Sequence, residues 1–227
     1  MRRLISFMLV CILVFALAGC ASGNNAPTDS VGVTTNDPTI LPEESDGTEA
    51  EDSTVSADSK TLVVYFSRAG EQYGVGVIEK GNTAIVAEMI ADETGADVFE
   101  ILPKEDNYPT TYTELTDFAK EEQNNSARPE IASAVEYFDS YDTIYFGYPI
   151  WWGDLPMICY TFLESYDFSG KTVIPFCTHA GSGNAGTQSK ILSVIPNTDV
   201  REVLAIPGTD AQNDQDSVRQ QVAEWLK

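Results

Sequence analysis

Apolar residues in this chain gather in short runs, nearly unbroken in Thr61–Phe66, separated by stretches that are apolar only at every third or fourth position. The runs are Thr61–Phe66, Asp97–Leu102, Thr143–Tyr148, Thr172–Cys177 and Val200–Ile206. A strand covered on both faces reads this way, so each run predicts a buried strand. The intervening stretches follow helical periodicity. Asn82–Glu93 puts Ile85, Val86, Met89 and Ile90 on one stripe, as a helix packed on one side requires. Helices are predicted also over Tyr112–Gln123, Leu155–Glu164, Thr187–Ile195 and Gln215–Leu226. Two positions fit poorly. Val98 and Phe99 point to opposite faces, which leaves the buried side of the second strand open. Pro175 cannot donate to a strand ladder and is expected at a bulge or strand end. Five alternations of strand and helix predict a three-layer α/β domain around a parallel sheet.

The first 59 residues follow neither pattern. Met1-Arg2-Arg3 is a basic start, and Leu4–Ala18 is an apolar stretch too short for a membrane span, which needs about 20 residues. It suits a secretory signal. The stretch ends in Leu17-Ala18-Gly19-Cys20, which resembles the bacterial lipoprotein box at each position. That resemblance implies removal of residues 1–19 and a lipid on the Cys20 thiol. Two acyl chains there would anchor stably where one would be marginal. Ala21–Ser59 is rich in Ser, Thr, Asp, Glu, Gly and Pro, with no apolar period, and is expected to remain a disordered acidic tether. Residues 20–59 would thus hang the folded domain, 60–227, from an outer membrane face with an average reach of roughly 35 Å. The expected location is extracytoplasmic, anchored to a bacterial cell membrane.

The chain carries 35 acidic and 13 basic residues, a formal charge of −22. Such a surface repels nucleic acid and favours a basic docking partner. Cys159 and Cys177 lack metal-type spacing; two buried thiols and a disulfide both remain open. No zinc pattern and no Ser-His-Asp constellation stands out, so neither a metal nor a catalytic side chain is expected. Gly74-Val75-Gly76 lacks the third glycine of a dinucleotide fingerprint.

The candidate chemistry lies in three loops, each following a predicted strand. The first begins Ser67-Arg68-Ala69-Gly70 and, beyond an insertion over residues 70–80, ends Gly81-Asn82-Thr83 at a helix start. Hydroxyls, close-approach glycine and a helix N-terminus suit a phosphate, with Ser67, Arg68, Asn82 and Thr83 as donors. Tyr73, Val75, Val77 and Ile78 of the insertion are free to fold over a ligand or pack elsewhere. The second loop is Tyr148-Pro149-Ile150-Trp151-Trp152-Gly153. Two adjacent tryptophans diverge, so at least one is expected at the surface edge, where it can stack on a flat ring. The third is Thr178-His179-Ala180-Gly181-Ser182-Gly183, with the chain's sole histidine. No carboxylate at a motivated spacing orients His179 for acid–base work.

Together these loops resemble those of the flavodoxin family over residues 61–227. With the insertion set aside, the first reads Ser-Arg-Ala-Gly-Asn-Thr, similar to the family's phosphate loop except that Ala69 replaces a hydroxyl. The resemblance implies a flavodoxin-like three-layer sandwich with a five-stranded parallel sheet, order 2-1-3-4-5, binding FMN at the strand ends. It implies that Pro149, Ile150, Trp151, Trp152 and Gly153 meet one edge of the flavin. Thr178, His179, Ala180, Gly181, Ser182 and Gly183 would border the rest. The expected function is electron transfer by a membrane-tethered flavoprotein. An NAD(P)H-dependent quinone or flavin reductase is the alternative, as is a non-redox binding module that has lost the flavin.

Overall fold

The computed structural model describes residues 60–227; the expected signal segment, the lipidated Cys20 and the tether lie outside them. Strand β1 (Thr61–Tyr65) leads into a hairpin of β2 (Gly70–Gln72) and β3 (Gly76–Ile78). Helix α1 (Asn82–Thr94), strand β4 (Asp97–Glu100) and helix α2 (Tyr112–Asn124) follow. Next come β5 (Thr143–Pro149), α3 (Met157–Ser165), β6 (Thr172–His179) and α4 (Thr187–Val194). The domain closes with β7 (Asp199–Val200), β8 (Leu204–Pro207), α5 (Gly208–Asn213) and α6 (Gln215–Trp225).

The main sheet is parallel, in the order β4-β1-β5-β6, with β7 and β8 both on the outer side of β6. This is the expected order, with one difference. The predicted fifth strand is broken into β7 and β8, so the sheet has six strands. The break explains Pro175. The Val173 carbonyl accepts from Arg201 N–H at 2.9 Å, and Pro175, two residues on, turns its missing donor toward the same side. There it meets the gap between β7 and β8 rather than a strand, so the proline costs no ladder bond.

Alternation along the strands sorts two cores. Leu62, Val64, Phe66, Ile144, Phe146 and Tyr148 face α2, α3 and α4. Val63, Tyr65, Tyr145, Phe176 and Ile206 face α1, α5 and α6. On the edge strand β4, Phe99 packs inward at 6.0 Å from Phe162, while Val98 is half exposed, which settles that strand's face. Helix α1 stops at Gly95, which takes the left-handed conformation (φ 67°) and donates to the Ala91 carbonyl at 2.8 Å. Cys159 and Cys177 are buried free thiols, and burial pushes the Cys177 thiol up to about 12. They are therefore poor nucleophiles. Among the described residues no helix is long and apolar enough to cross a membrane.

Candidate functional site

In the parallel sheet, β1, β5 and β6 end at one edge. β1 is the switch point, because its neighbours β4 and β5 are reached by connections in opposite directions. All three sequence-predicted loops emerge there.

The first loop forms a cradle at the start of α1. The Ser67 hydroxyl oxygen accepts from Ala84 N–H at 3.1 Å, which leaves its own proton to donate. The backbone N–H groups of Asn82 and Thr83 meet no acceptor among the described residues, as expected of a helix's first turn. Gly81 is required for close approach. A Cβ there would overlap the Ser67 hydroxyl and lie 2.5 Å from the Arg68 carbonyl oxygen. Two expected donors are otherwise engaged. The Thr83 hydroxyl is buried against that of Thr178 at 2.8 Å, tying the first loop to the third. Arg68 is committed in part, through Nη1 to Asp106 at 2.8 Å and through Nη2 to the Tyr108 carbonyl at 3.1 Å. The Asn82 side-chain oxygen accepts from Gln212 at 2.8 Å.

In the second loop the two tryptophans do diverge. Trp151 turns inward, edge-on to Phe66 at 5.5 Å and Tyr108 at 5.6 Å. Trp152 is 54% exposed, in the left-handed conformation at φ 50°. Its indole N–H donates to the Thr116 carbonyl at 2.8 Å, and the Lys120 ammonium lies 5.1 Å from its ring centroid. Helix α2 therefore fixes the plane of this ring and covers part of it with a cation. The Gly153 carbonyl accepts from Lys190, which also pairs with Asp154 at 3.0 Å.

In the third loop, His179 Nδ1 accepts from Gly181 N–H at 3.0 Å. That bond assigns the proton of the neutral ring to Nε2. Burial lowers the His179 pKa, partly opposed by Asp210.

These elements enclose an open cleft of about 220 Å³. Asn82, Pro149, Ile150, Trp151, Trp152, Thr178, His179 and Ala180 line it. Ser67, Arg68, Thr83, Gly153, Gly181, Ser182 and Gly183 lie around it without forming its wall. The rest of the lining was missed in the sequence, except for Tyr73 of the insertion. It consists of Gln72 and Tyr73 from the hairpin, and Tyr112, Leu115, Thr116 and Ala119 from α2, with Gly208 at the end of β8. The α2 residues fall at i, i+3, i+4 and i+7, a visible stripe, but only the fold reveals that it faces the loops. The hairpin is held there by the Glu71 carboxylate, which accepts from Tyr112 N–H at 2.9 Å at the positive end of α2. Among the described residues there is no cluster of metal-ligating side chains.

Behind Trp151, the Tyr108 hydroxyl donates to Glu122 at 3.2 Å. Burial raises the Glu122 pKa, and the Tyr108 hydrogen bond only partly offsets this. A carboxyl raised in the folded state contributes stability below its unfolded pKa, and that contribution is lost as pH climbs through the folded value. At neutral pH the ionised group is therefore a burden. Glu122→Gln keeps an acceptor for Tyr108 without the charge. It should stabilise the domain at pH 7 by up to about 0.5 kcal/mol, allowing for its partial solvent contact. The gain should vanish near pH 4, as compared by urea unfolding at both pH values. An equal gain at both would contradict this account.

The comparisons with known proteins agree with the geometry. The family model described as flavodoxin matches residues 60–226. Among solved structures, the chain is similar to a protein of Bacteroides uniformis provisionally described as a flavoprotein. That match has 30% identity and a TM-score of 0.58, and covers 73% of this chain and 98% of that one. A counterpart from Bacteroides eggerthii shows 28% identity and a TM-score of 0.59, over 75% and 99% of the two chains. A flavoprotein from Lactobacillus acidophilus, solved in complex with FMN, shows 24% identity and a TM-score of 0.54, over 74% and 99%. None of the curated proteins matches.

Proposed function

We propose that this chain, which belongs to the flavodoxin family, binds FMN and moves electrons between partners at a bacterial cell surface. The observation that carries the reading is the cradle at the start of α1, opening on the same sheet edge as the Trp152 platform. There a glycine without room for a Cβ stands beside two helix N–H groups and a serine proton that lack acceptors among the described residues. Those donors fit a phosphate dianion at the positive end of a helix. The relative from Lactobacillus acidophilus with this fold holds FMN, which supports the same choice of ligand.

Bound FMN would supply the redox chemistry, and the protein would supply binding, orientation and electrostatics. Ser67, Asn82 and Thr83 would hold the phosphate. The loops Pro149–Gly153 and Thr178–Gly183 would hold the ring, with Trp152 stacked on it and His179 presenting Nε2–H. In this reading the reactive group is the cofactor. The charge of −22 favours a basic redox partner and works against adding electrons to the site. A lipid on Cys20 and the acidic tether would keep the domain at the outer membrane face.

The test is one preparation. The full chain is recovered from the membrane fraction, given FMN and freed of excess. A retained flavin spectrum near one per chain is expected, bleached by chemical reductant but only slowly by NADH or NADPH. A colourless protein would sink the FMN reading. Rapid bleaching by a nicotinamide would transfer the function to the reductase class. Recovery from the soluble fraction alone would sink the tether.

A further inference from the structure

The turn that carries the aromatic platform is strained and firmly fastened. Trp151 and Asp154 exchange backbone hydrogen bonds at 2.9 and 3.0 Å. The two residues between them, Trp152 and Gly153, are both left-handed, at φ 50° and φ 70°. A two-residue turn of this kind usually takes Asn-Gly or Gly-Gly, because a Cβ is crowded at positive φ. Here the first place holds a tryptophan that stays 54% exposed, so burial does not account for it. Strain of this kind clusters where a side chain serves a ligand, and Trp152 lines the cleft.

A strained residue persists only where its surroundings over-determine it, and three helices do so here. Helix α2 fixes the ring, through the Thr116 carbonyl and the Lys120 ammonium. Helices α3 and α4 fix the backbone, and they act through Asp154. Its Oδ1 accepts from Leu155 N–H and from the Tyr160 hydroxyl of α3, both at 2.8 Å. Its Oδ2 pairs with Lys190 of α4 at 3.0 Å. The same ammonium donates to the Gly153 carbonyl at 2.8 Å. Lys190 therefore bridges the middle of the turn to the side chain that ends it. Asp154 is only 17% exposed, where charge-assisted bonds hold better than in open water. Asp154, Tyr160 and Lys190 lie outside the wall of the cleft, so they reach a ligand only through the turn.

We infer that Lys190 and Asp154, steadied by Tyr160, are positioning residues: they lock the Trp152–Gly153 turn so that the Trp152 ring stands as a fixed platform for the ring system of the bound flavin. The inference rests on the FMN reading above. It assigns the clamp to the ring of the ligand and not to its phosphate, so the two halves of the ligand test it separately. It also requires that Lys190 act through Trp152, which a pair of substitutions can test.

The experiment measures the affinity of the full chain for FMN and for riboflavin, which lacks the phosphate. Lys190→Met removes the bridge and keeps the aliphatic stem. Affinity falls with the fraction of chains whose turn is in place, and losing a bond to a charged group should lower that fraction about tenfold. FMN and riboflavin should weaken by the same factor. Lys190→Arg can reach both acceptors and should bind within about threefold of the parent. Trp152→Ala should weaken both flavins about tenfold through lost stacking. Adding Lys190→Met to Trp152→Ala should then cost no more than about twofold, because the clamp has no platform left to hold. Lys190 is 37% exposed and Trp152 more so, so these variants should fold, and urea unfolding without flavin checks that they do. Unchanged affinity in Lys190→Met, with or without a loss of stability, would make the clamp structural alone and overturn the inference. So would a loss confined to FMN, which would place the effect at the phosphate. Losses that multiply in the double variant would show that Lys190 does not act through Trp152, and unchanged affinity in Trp152→Ala would show that the ring is not the platform; either overturns the inference and spares flavin binding. A parent chain that binds neither flavin refutes the FMN reading, and this inference with it.

Discussion

Replacing Gly81 with alanine is expected to cost FMN affinity by roughly 100-fold, the effect of losing two charge-assisted hydrogen bonds. Backbone strain is not the reason. Gly81 has φ −66° and ψ 149°, a conformation alanine adopts freely. The obstacle is space. The new Cβ would overlap the Ser67 hydroxyl and sit 2.5 Å from the Arg68 carbonyl oxygen. Ser67 could rotate away only by giving up its bond from Ala84 N–H, which fixes the hydroxyl on the helix start. The Arg68 carbonyl could retreat only by displacing the end of β1, held by Phe66 N–H on the Gly147 carbonyl at 2.9 Å. Either escape dismantles the donors around the phosphate. Overpacking of this kind should also lower stability by about 1–3 kcal/mol. Gly95→Ala is the control. Its φ of 67° strains alanine, but no atom lies within 4 Å of the new Cβ. It should lower stability by about 1 kcal/mol and leave FMN binding alone. Fluorescence titration with FMN and a thermal melt on each variant give the answer. FMN held as tightly by the Gly81 variant as by the parent would refute the cradle.

The strands were legible because burial on both faces leaves a plain signature, as in Thr61–Phe66 and Thr143–Tyr148. Helix boundaries were legible where a glycine ends the pattern, as at Gly95. The break between β7 and β8 falls at Arg201 and Glu202, two charged residues inside the predicted run, but two such residues also fit an exposed strand end, and Val203 beyond them is buried although it belongs to neither strand. Pro175, on the neighbouring strand, also hinted at a gap, but a proline says that a donor is missing without saying which strand is interrupted. The hairpin β2–β3 was hidden for the opposite reason. It buries little, with Tyr73 64% and Val77 82% exposed, so it shows no alternation. The loops that end strands were readable as a site, because glycine, hydroxyl and aromatic residues concentrate there. Their partners were not. Arg68 meets Asp106 across 38 residues and Thr83 meets Thr178 across 95, and no local pattern encodes a pairing set by topology. The donors of a site are thus visible in sequence, while which of them remain free is a property of the fold.

Phe162→Ala is the substitution expected to damage stability most, by about 3–5 kcal/mol. Phe162 lies on α3 with no solvent exposure. It stacks on Phe146 of β5 at 5.9 Å and contacts the rings of Phe138, Phe168, Phe99 and Tyr166, the last at 4.8 Å. Alanine loses the transfer energy of the ring and leaves a cavity. The surrounding rings fill it only in part, because Phe138 is itself packed on Tyr166 and Phe168. Several favourable ring–ring contacts vanish as well. A loss of that size approaches the whole stability of an ordinary domain, so urea unfolding should show a midpoint far below that of the parent. Phe162→Leu, which refills most of the space, should cost roughly half as much. A loss below about 1 kcal/mol for Phe162→Ala would mean that the cluster collapses freely and does not hold α3 to the sheet. FMN gives an independent reading of the same variant. A ligand that binds only the folded state adds RT ln(1 + [L]/Kd) whatever the starting stability. If the Phe162 cluster supports the sheet without shaping the site, saturating FMN should raise the stability of parent and Phe162→Ala by the same increment. In Gly81→Ala that increment should shrink by about 2.7 kcal/mol, the equivalent of its hundredfold weaker binding. Core and cradle are separable in this fold because the rings pack along the body of the sheet while every donor proposed for the phosphate lies at its edge.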